Sequence, residues 1–227
     1  MPPVLDRTIA VLLLPIVLPI LAALFLIALC VQGRPFIYCS ERMRSPSRSF
    51  SLMKIRTMEP VDEAEAEAVL GGDQAWRVTR LGQVLRRTRL DELPQIFNII
   101  RGDMRFVGPR PPLRRYVQSY PDLYDRVLSI PPGITGLATV MTYRREERLL
   151  SRCRTREDTD RIYREHCVPL KARLDLLYLQ RRSIGLDLFI LWRTVSRIAG
   201  QSRAEVKLQG RRRLFRAAST PRQATAQ

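Results

Sequence analysis

The chain has 227 residues, enough for one modest domain plus an appendage, and its 39 Lys and Arg against 22 Asp and Glu give a formal charge of +17. Such an excess implies a polyanionic partner: nucleic acid, an anionic membrane face or phosphorylated substrates. Cys30, Cys39, Cys153 and Cys167 form no CxxC pair and His166 is the only histidine, which argues against a zinc site and a disulfide framework and fits a reducing cytosol.

The N-terminus differs in kind from the rest of the chain. No charged residue occurs from Thr8 to Gly33, and the run TIAVLLLPIVLPILAALFLIALCVQG is almost wholly apolar. It is longer than the roughly 20 residues a straight spanning helix needs. A cleaved signal peptide fits poorly, because its apolar region is about 7–15 residues behind a basic start, and here Asp6 accompanies Arg7. Pro15 and Pro19 each delete a helical hydrogen bond near the middle of the run. A sharp bend is expected there, and a bent helix can enter and leave a bilayer by one face; a plain spanning helix is the alternative. Of the basic residues only Arg7 precedes the segment, which places the following domain in the cytosol. Three parts are expected: a membrane-inserted helix over 1–34, a cytosolic domain over 35–200 and a basic tail over 201–227.

PFIYC and FSLMKIRTM read as short strands around the turn residues of RMRSPSRS. EPVDEAEAEAVLGGDQAW is an exposed helix or loop with no assigned chemistry. Thr79 is placed to cap the short helix RLGQVLRR. PPLRRYVQSYPDLYDRVL predicts a helix with tyrosines on its apolar side, and PPGITGLATVMTY a rigid turn leading into a strand. RREERLLSRCRTREDTDRIYREHC is charged and helical. Leu186, Ile190, Trp192, Val195 and Ile198 share one side of a last helix, with Asp187, Arg193 and Arg197 opposite. That face suits a membrane interface and a buried core equally. The polar tail from Gln201 is arginine-rich and suited to anionic lipid.

LDELPQIFNIIRGDMRFVGPRP, from Leu90 to Pro111, concentrates acids, a glycine and an arginine between two prolines. One account is purely structural: Asp91 as N-cap, Pro94 in the first turn, Gly102 as C-terminal stop, and Leu93, Ile96, Phe97 and Ile100 buried. The other uses the same geometry for chemistry. A carboxylate kept ionised at a helix start can attack phosphorus, and its neighbour can hold Mg²⁺ together with substrate phosphates. Arg110 would supply a guanidinium fork fixed by Pro109 and Pro111. Lys54, Arg56, Arg86 and Arg87 add positive charge if the fold brings them close.

KIRTM (54–58), LDELPQIFNIIRGDM (90–104), VGPRP (107–111) and PGITGLA (132–138) occur in this order. Together they resemble the bacterial sugar transferase family, the monotopic phosphoglycosyl transferases, over roughly residues 4–198. The resemblance implies transfer of a sugar-1-phosphate from a nucleoside diphosphate sugar, expected to be a UDP-sugar, to polyprenyl phosphate (undecaprenyl phosphate), initiating exopolysaccharide or glycoconjugate synthesis. It implies Asp91 as the nucleophile that forms a phospho-sugar adduct, Glu92 as the Mg²⁺ ligand and Arg110 as a phosphate-binding arginine. The implied fold is a small, mainly helical α/β catalytic domain with a re-entrant membrane helix and interfacial amphipathic helices. The implied site is the cytosolic face of the bacterial inner membrane, in contact with anionic lipids and compatible with a homodimer. Leu18, rather than the family's usual serine, precedes Pro19, and Thr139 stands where many members have glutamine.

Two other readings compete. A membrane-tethered binder of nucleic acid or another polyanion would account for the charge, but the arginines lack aromatic interleaving and no nucleic-acid motif is present. An inactive scaffold would not need the intact Asp91–Glu92 pair. The expectation is an enzyme that does not bind nucleic acid.

Overall fold

A computed structural model describes residues 2–60, 77–151, 153 and 155–200. Most of the acidic stretch ending at Trp76 and the whole basic tail lie outside the described residues. Helix α1 (Pro3–Gln32) contains Pro15 and Pro19 without ending at either. At 1.5 Å per residue it is about 45 Å long. Asp6, Ala10, Val17, Leu21 and Ala28 are its buried residues, a set that falls on one helix face. Leu12, Ile16, Leu26 and Val31 are exposed.

A hairpin of β1 (Ile37–Met43) and β2 (Ser49–Ile55) comes next, antiparallel with Ile37 opposite Ile55. Alternation along β2 buries Phe50 and Leu52, and Ile55 at its end is buried out of that period. Helix α2 (Arg80–Thr88) is capped as expected: Thr79 Oγ1 accepts from the Gly82 amide at 2.8 Å. A single turn of 3₁₀ helix at Leu90–Glu92 leads into α3 (Gln95–Arg101), which Gly102 closes in the left-handed conformation, φ 83°. Of the expected face, Ile96 is fully buried and Leu93, Phe97 and Ile100 are half-buried; Ile99 and Asn98 are the deepest residues. α1, β2, α2 and α3 share one core.

β3 (Arg105–Val107) and β4 (Gly133–Thr135) form a two-residue parallel ladder, Arg105 with Gly133 and Val107 with Thr135. The turns after and before them touch: a Cβ on Gly133 would lie 2.2 Å from the Gly108 nitrogen, so only glycine permits this approach. The sheets are small, and the fold is mostly helical.

Between those strands, the single expected helix is two, α4 (Arg114–Ser119) and α5 (Pro121–Val127), because Pro121 restarts the helix after Tyr120. Beyond β4 the chain forms helix α6 (Leu137–Leu150) where a strand was expected. Its first turn lies against another element, the Ala138 backbone acting to lower the pKa of the Asp175 carboxyl. α7 (Arg156–Ile162) passes through a wide π turn at 163–167 into α8 (Val168–Arg181).

The last helix, α9, covers residues 184–200. The expected division of its faces is corrected. Asp187 points inward with Ile190, accepting from the Tyr178 hydroxyl at 2.6 Å, while Ile184, Leu188, Trp192 and Val195 form an exposed apolar stripe. The i, i+3 relation puts Asp187 and Ile190 on one face, and a buried tyrosine hydroxyl satisfies the acid.

Both ends of α1 are tied to the same body. Near its start Asp6 is ion-paired with Arg105 on β3 at 2.9 Å, both side chains buried. At its end Gln32 accepts from the Thr79 hydroxyl at 2.9 Å and donates to the Arg56 carbonyl at 3.0 Å. Removing one partner of a buried pair strands the other charge. Asp6→Ala should therefore lower stability by about 3–5 kcal/mol, read as a fall in Tm of the detergent-solubilised protein; an unchanged Tm would show that this pair does not anchor the helix.

Candidate active site

The structural account of Asp91 as a helix cap does not hold. α3 has Pro94 at its N-cap with no side-chain cap bond, and Asp91 lies a turn earlier in the 3₁₀ segment. Asp91 and Glu92 are both buried, at 6% and 4% exposure. Their turn is entered through Arg89 at φ 61°, a left-handed conformation that is uncommon for a residue with a side chain. Arg89 stands where a glycine would be relaxed, and its guanidinium reaches back to Glu92 Oε2 at 2.7 Å. Strain held in this way concentrates at functional sites.

Glu92 collects cations from three directions. Lys54 Nζ on β2 is 3.1 Å from Oε1, Arg110 Nη2 from the turn after β3 is 3.3 Å from the same oxygen, and Arg89 holds the other. Burial acts to raise its pKa, but Arg110, Lys54 and Arg89 outweigh this and hold it at about 2. Burial also pulls Lys54 below its ordinary value, with Glu92 opposing.

Asp91 is placed differently. Its Oδ1 is buried with no hydrogen-bond partner among the described residues. Burial pushes its carboxyl above the ordinary range; Lys54 opposes this, Glu92 adds to it, and Arg89 and Arg86 oppose it. Of two adjacent acids, one is saturated and held ionised, while the other keeps an oxygen free. An unsatisfied buried carboxylate oxygen is costly, and environments that drive paired carboxylates apart mark acid, base or nucleophile roles.

The structure brings Lys54, Asp91, Glu92 and Arg110 together, with Arg86 at the edge. Arg86 donates from Nε to Thr57 Oγ1 at 2.8 Å and acts on Asp91 through its charge. It does not bring Arg56 in. That guanidinium donates to the carbonyls of Gln32, Gly33 (3.0 Å) and Pro35 (2.8 Å), closing the C-terminal end of α1. Helix ends leave carbonyls without intrahelical donors, and Arg56 serves them. Pro15 and Pro19 are in α1, distant in sequence from every residue of the cluster.

Two residues of the site have no motif of their own. Arg89 is one; the signal for it lies only in the backbone. Asn98 is the other: its Oδ1 accepts from the Met53 amide at 3.1 Å and its Nδ2 donates to the Ser51 carbonyl at 2.8 Å. It pins α3 to the strand that carries Lys54. A poor helix former among apolar residues was the available clue.

Comparison with known proteins places the chain in a family. A profile of the bacterial sugar transferase family matches residues 1–201, and the chain belongs to that family. It is 31% identical over 201 residues to a UDP-N-acetylgalactosamine-undecaprenyl-phosphate N-acetylgalactosaminephosphotransferase of Aeromonas hydrophila, covering 85% of this chain and 42% of the relative. It is 31% identical over 202 residues to a UDP-glucose:undecaprenyl-phosphate glucose-1-phosphate transferase of Xanthomonas campestris pv. campestris, covering 88% of this chain and 39% of the relative. A protein of the latter name from Klebsiella pneumoniae is 32% identical over 193 residues, covering 84% and 38%. The chain thus spans about two fifths of the length of these relatives.

Arg56 and Arg110 separate by experiment. Arg56→Gln should lower Tm and leave the KM of the folded protein for its phosphorylated substrate unchanged. Arg110→Gln should cost about 10- to 100-fold in kcat/KM, the scale of one lost charge-assisted hydrogen bond; the reverse pattern would exchange their roles. A group with a raised pKa is the first to protonate as pH falls. Any activity that needs ionised Asp91 should therefore fade on acidification at a pH above ordinary aspartate's 3.8; an acid limb of kcat/KM at or below that value would contradict the dominance of burial at Asp91.

Proposed function

We propose that this protein is a phosphoglycosyl transferase that moves a sugar-1-phosphate from a UDP-sugar to undecaprenyl phosphate, the first step in building an exopolysaccharide or glycoconjugate. The observation that carries this reading is the buried Asp91 oxygen without a partner, set beside a cluster of cations. The names of the three relatives support the substrate classes.

Asp91 Oδ1 would attack the phosphorus nearest the sugar. The bond from that phosphorus to the bridging oxygen breaks, and UMP leaves with the electron pair, giving an aspartyl phospho-sugar. An oxygen of undecaprenyl phosphate then attacks the same phosphorus, Asp91 departs as carboxylate, and the product is undecaprenyl diphosphate sugar. Splitting the reaction in two lets a soluble and a lipid substrate use one nucleophile in turn. Lys54, Arg89 and Arg110 already converge there and would offset the repulsion between carboxylate and diphosphate without reorganising.

Mg²⁺ fits this site. The ion takes one or two carboxylates and completes its shell with substrate phosphates and water, and adjacent Asp91 and Glu92 form such a donor set. Among the described residues no group of three acidic, Cys or His side chains could hold a metal alone, so the substrate's phosphates are needed. Glu92 would hold the ion in exchange for one of its cationic partners. When bound, the ion would neutralise charge on the diphosphate.

The membrane reading rests on two observations. α1 exposes most of its apolar surface, yet Asp6 near its start and Gln32 at its end are bound to the same domain. A helix crossing the bilayer would carry those ends to opposite sides. We take α1 as dipping into the cytoplasmic leaflet from the side of the catalytic domain, on the inner membrane, with the stripe Ile184, Leu188, Trp192 and Val195 at the interface and anionic lipids attracted by the basic surface.

The test is UMP release by the solubilised protein given undecaprenyl phosphate and a panel of UDP-sugars, with Mg²⁺ or with chelator. Release that needs lipid, metal and one sugar is expected. Asp91→Asn should remove both release and adduct, a loss of at least roughly a thousandfold. Normal turnover in that variant would end the assignment.

A further inference from the structure

Between the ion cluster and α8 lies a cavity of about 200 Å³. Lys54 and Arg110 are among its walls, so it adjoins Glu92's own partners. Tyr116, Tyr124 and Tyr163 supply aromatic surface, and Asp175 on α8 supplies the one carboxylate. Asp175 is 6% exposed, and its Oδ1 has no hydrogen-bond partner among the described residues. The Ala138 backbone at the start of α6 opposes protonation of the carboxyl. It leaves Oδ1 unexplained. Burial lifts the carboxyl to about 7, against the opposing charge of Lys171, so near neutrality it can both accept and donate a hydrogen bond.

The cavity's size limits what it can hold. Pockets that enclose a whole drug-sized ligand run to about 300–1,000 Å³, so this one suits a single ring. Its chemistry narrows the ring. Cations at one wall suit a phosphate, tyrosine faces suit apolar C–H surface, and a buried carboxyl suits a hydroxyl. A pyranose attached to phosphate offers all three. A neighbouring cavity of about 300 Å³, bordered by Arg89, Arg110, Tyr143 and Arg197, remains for the nucleoside.

We infer that the smaller cavity receives the sugar ring of the donor and that Asp175 selects the sugar by hydrogen-bonding one of its hydroxyls. This rests on the transferase reading for the identity of the donor. A site built to bond a hydroxyl discriminates strongly, because the wrong sugar leaves its buried polar group unpaired.

The test compares affinities of UMP and a panel of UDP-hexoses for the full chain in detergent, by calorimetric titration, for wild type and Asp175→Asn. UMP lacks the sugar and serves as the internal control. The variant should bind the preferred UDP-hexose about tenfold or more weaker, bind UMP as wild type does, and lose preference among hexoses. Equal weakening of both ligands, or of neither, overturns the inference. A variant that fails to fold shows itself by its Tm; Ala172→Val, which adds bulk to the cavity wall and keeps the carboxyl in the chain, must then show the same selective loss, and its absence overturns the inference. Wild-type protein that binds UDP-hexoses but transfers nothing to undecaprenyl phosphate would end the transferase reading and leave the pocket assignment. Wild type that binds none of them ends both.

Discussion

Glu92 sits almost out of reach of water, and an ionised carboxylate in that position is tolerated only because three cations converge on it. Lys54 arrives from the hairpin, Arg89 from the end of α2, and Arg110 from the turn after β3. Each of these elements is held by separate packing, so the convergence records the whole arrangement of the domain. Asn98 couples α3 to β2, and the glycine contact between Gly108 and Gly133 sets the turn that carries Arg110. Loosening any of these would leave buried charge short of its partners.

The saturation of Glu92 also explains the state of its neighbour. With its charge already committed, Glu92 adds to the burial that raises Asp91, while the surrounding cations keep Asp91 from rising further. The two carboxyls differ because three directed ion pairs go to one and none to the other. In the proposed reaction this is a division of labour: one acid organises positive charge, and the other keeps an oxygen for phosphorus.

The long apolar helix is part of the same construction. α1 contributes Ala10, Val17 and Leu21 to the core that also holds Ile96 and Ile99 of the site helix. Its C-terminal carbonyls take the guanidinium of Arg56, two residues after Lys54. The hairpin therefore faces two tasks from one short segment, Lys54 toward the dyad and Arg56 toward the helix. The apolar helix and the dyad are packed as one unit, and in the proposed reaction this would hold the site close to the lipid substrate.

Local rules in the sequence determined a good part of this protein. Aromatic and branched residues on either side of a turn-rich stretch marked β1 and β2, Thr79 and Gly102 marked a helix start and a helix end, and the apolar run marked α1. The ordered motifs marked the Asp91–Glu92 pair with Lys54 and Arg110. These are signals carried by neighbouring residues, where backbone preference and side-chain period act directly. Tertiary structure decided the rest. Lys54 and Arg56 alternate on one segment, and only the packing of α1 sends the second away from the site. LATVMTY carries β-branched residues, yet it is helical where the buried Asp175 meets its first turn. Asp187 turned inward because a tyrosine hydroxyl from α8 awaited it. Which of two adjacent carboxylates would be saturated depended on Lys54 and Arg110, 38 and 18 residues away in the chain, joining the nearby Arg89, and long-range electrostatics of that kind leaves no local pattern to read.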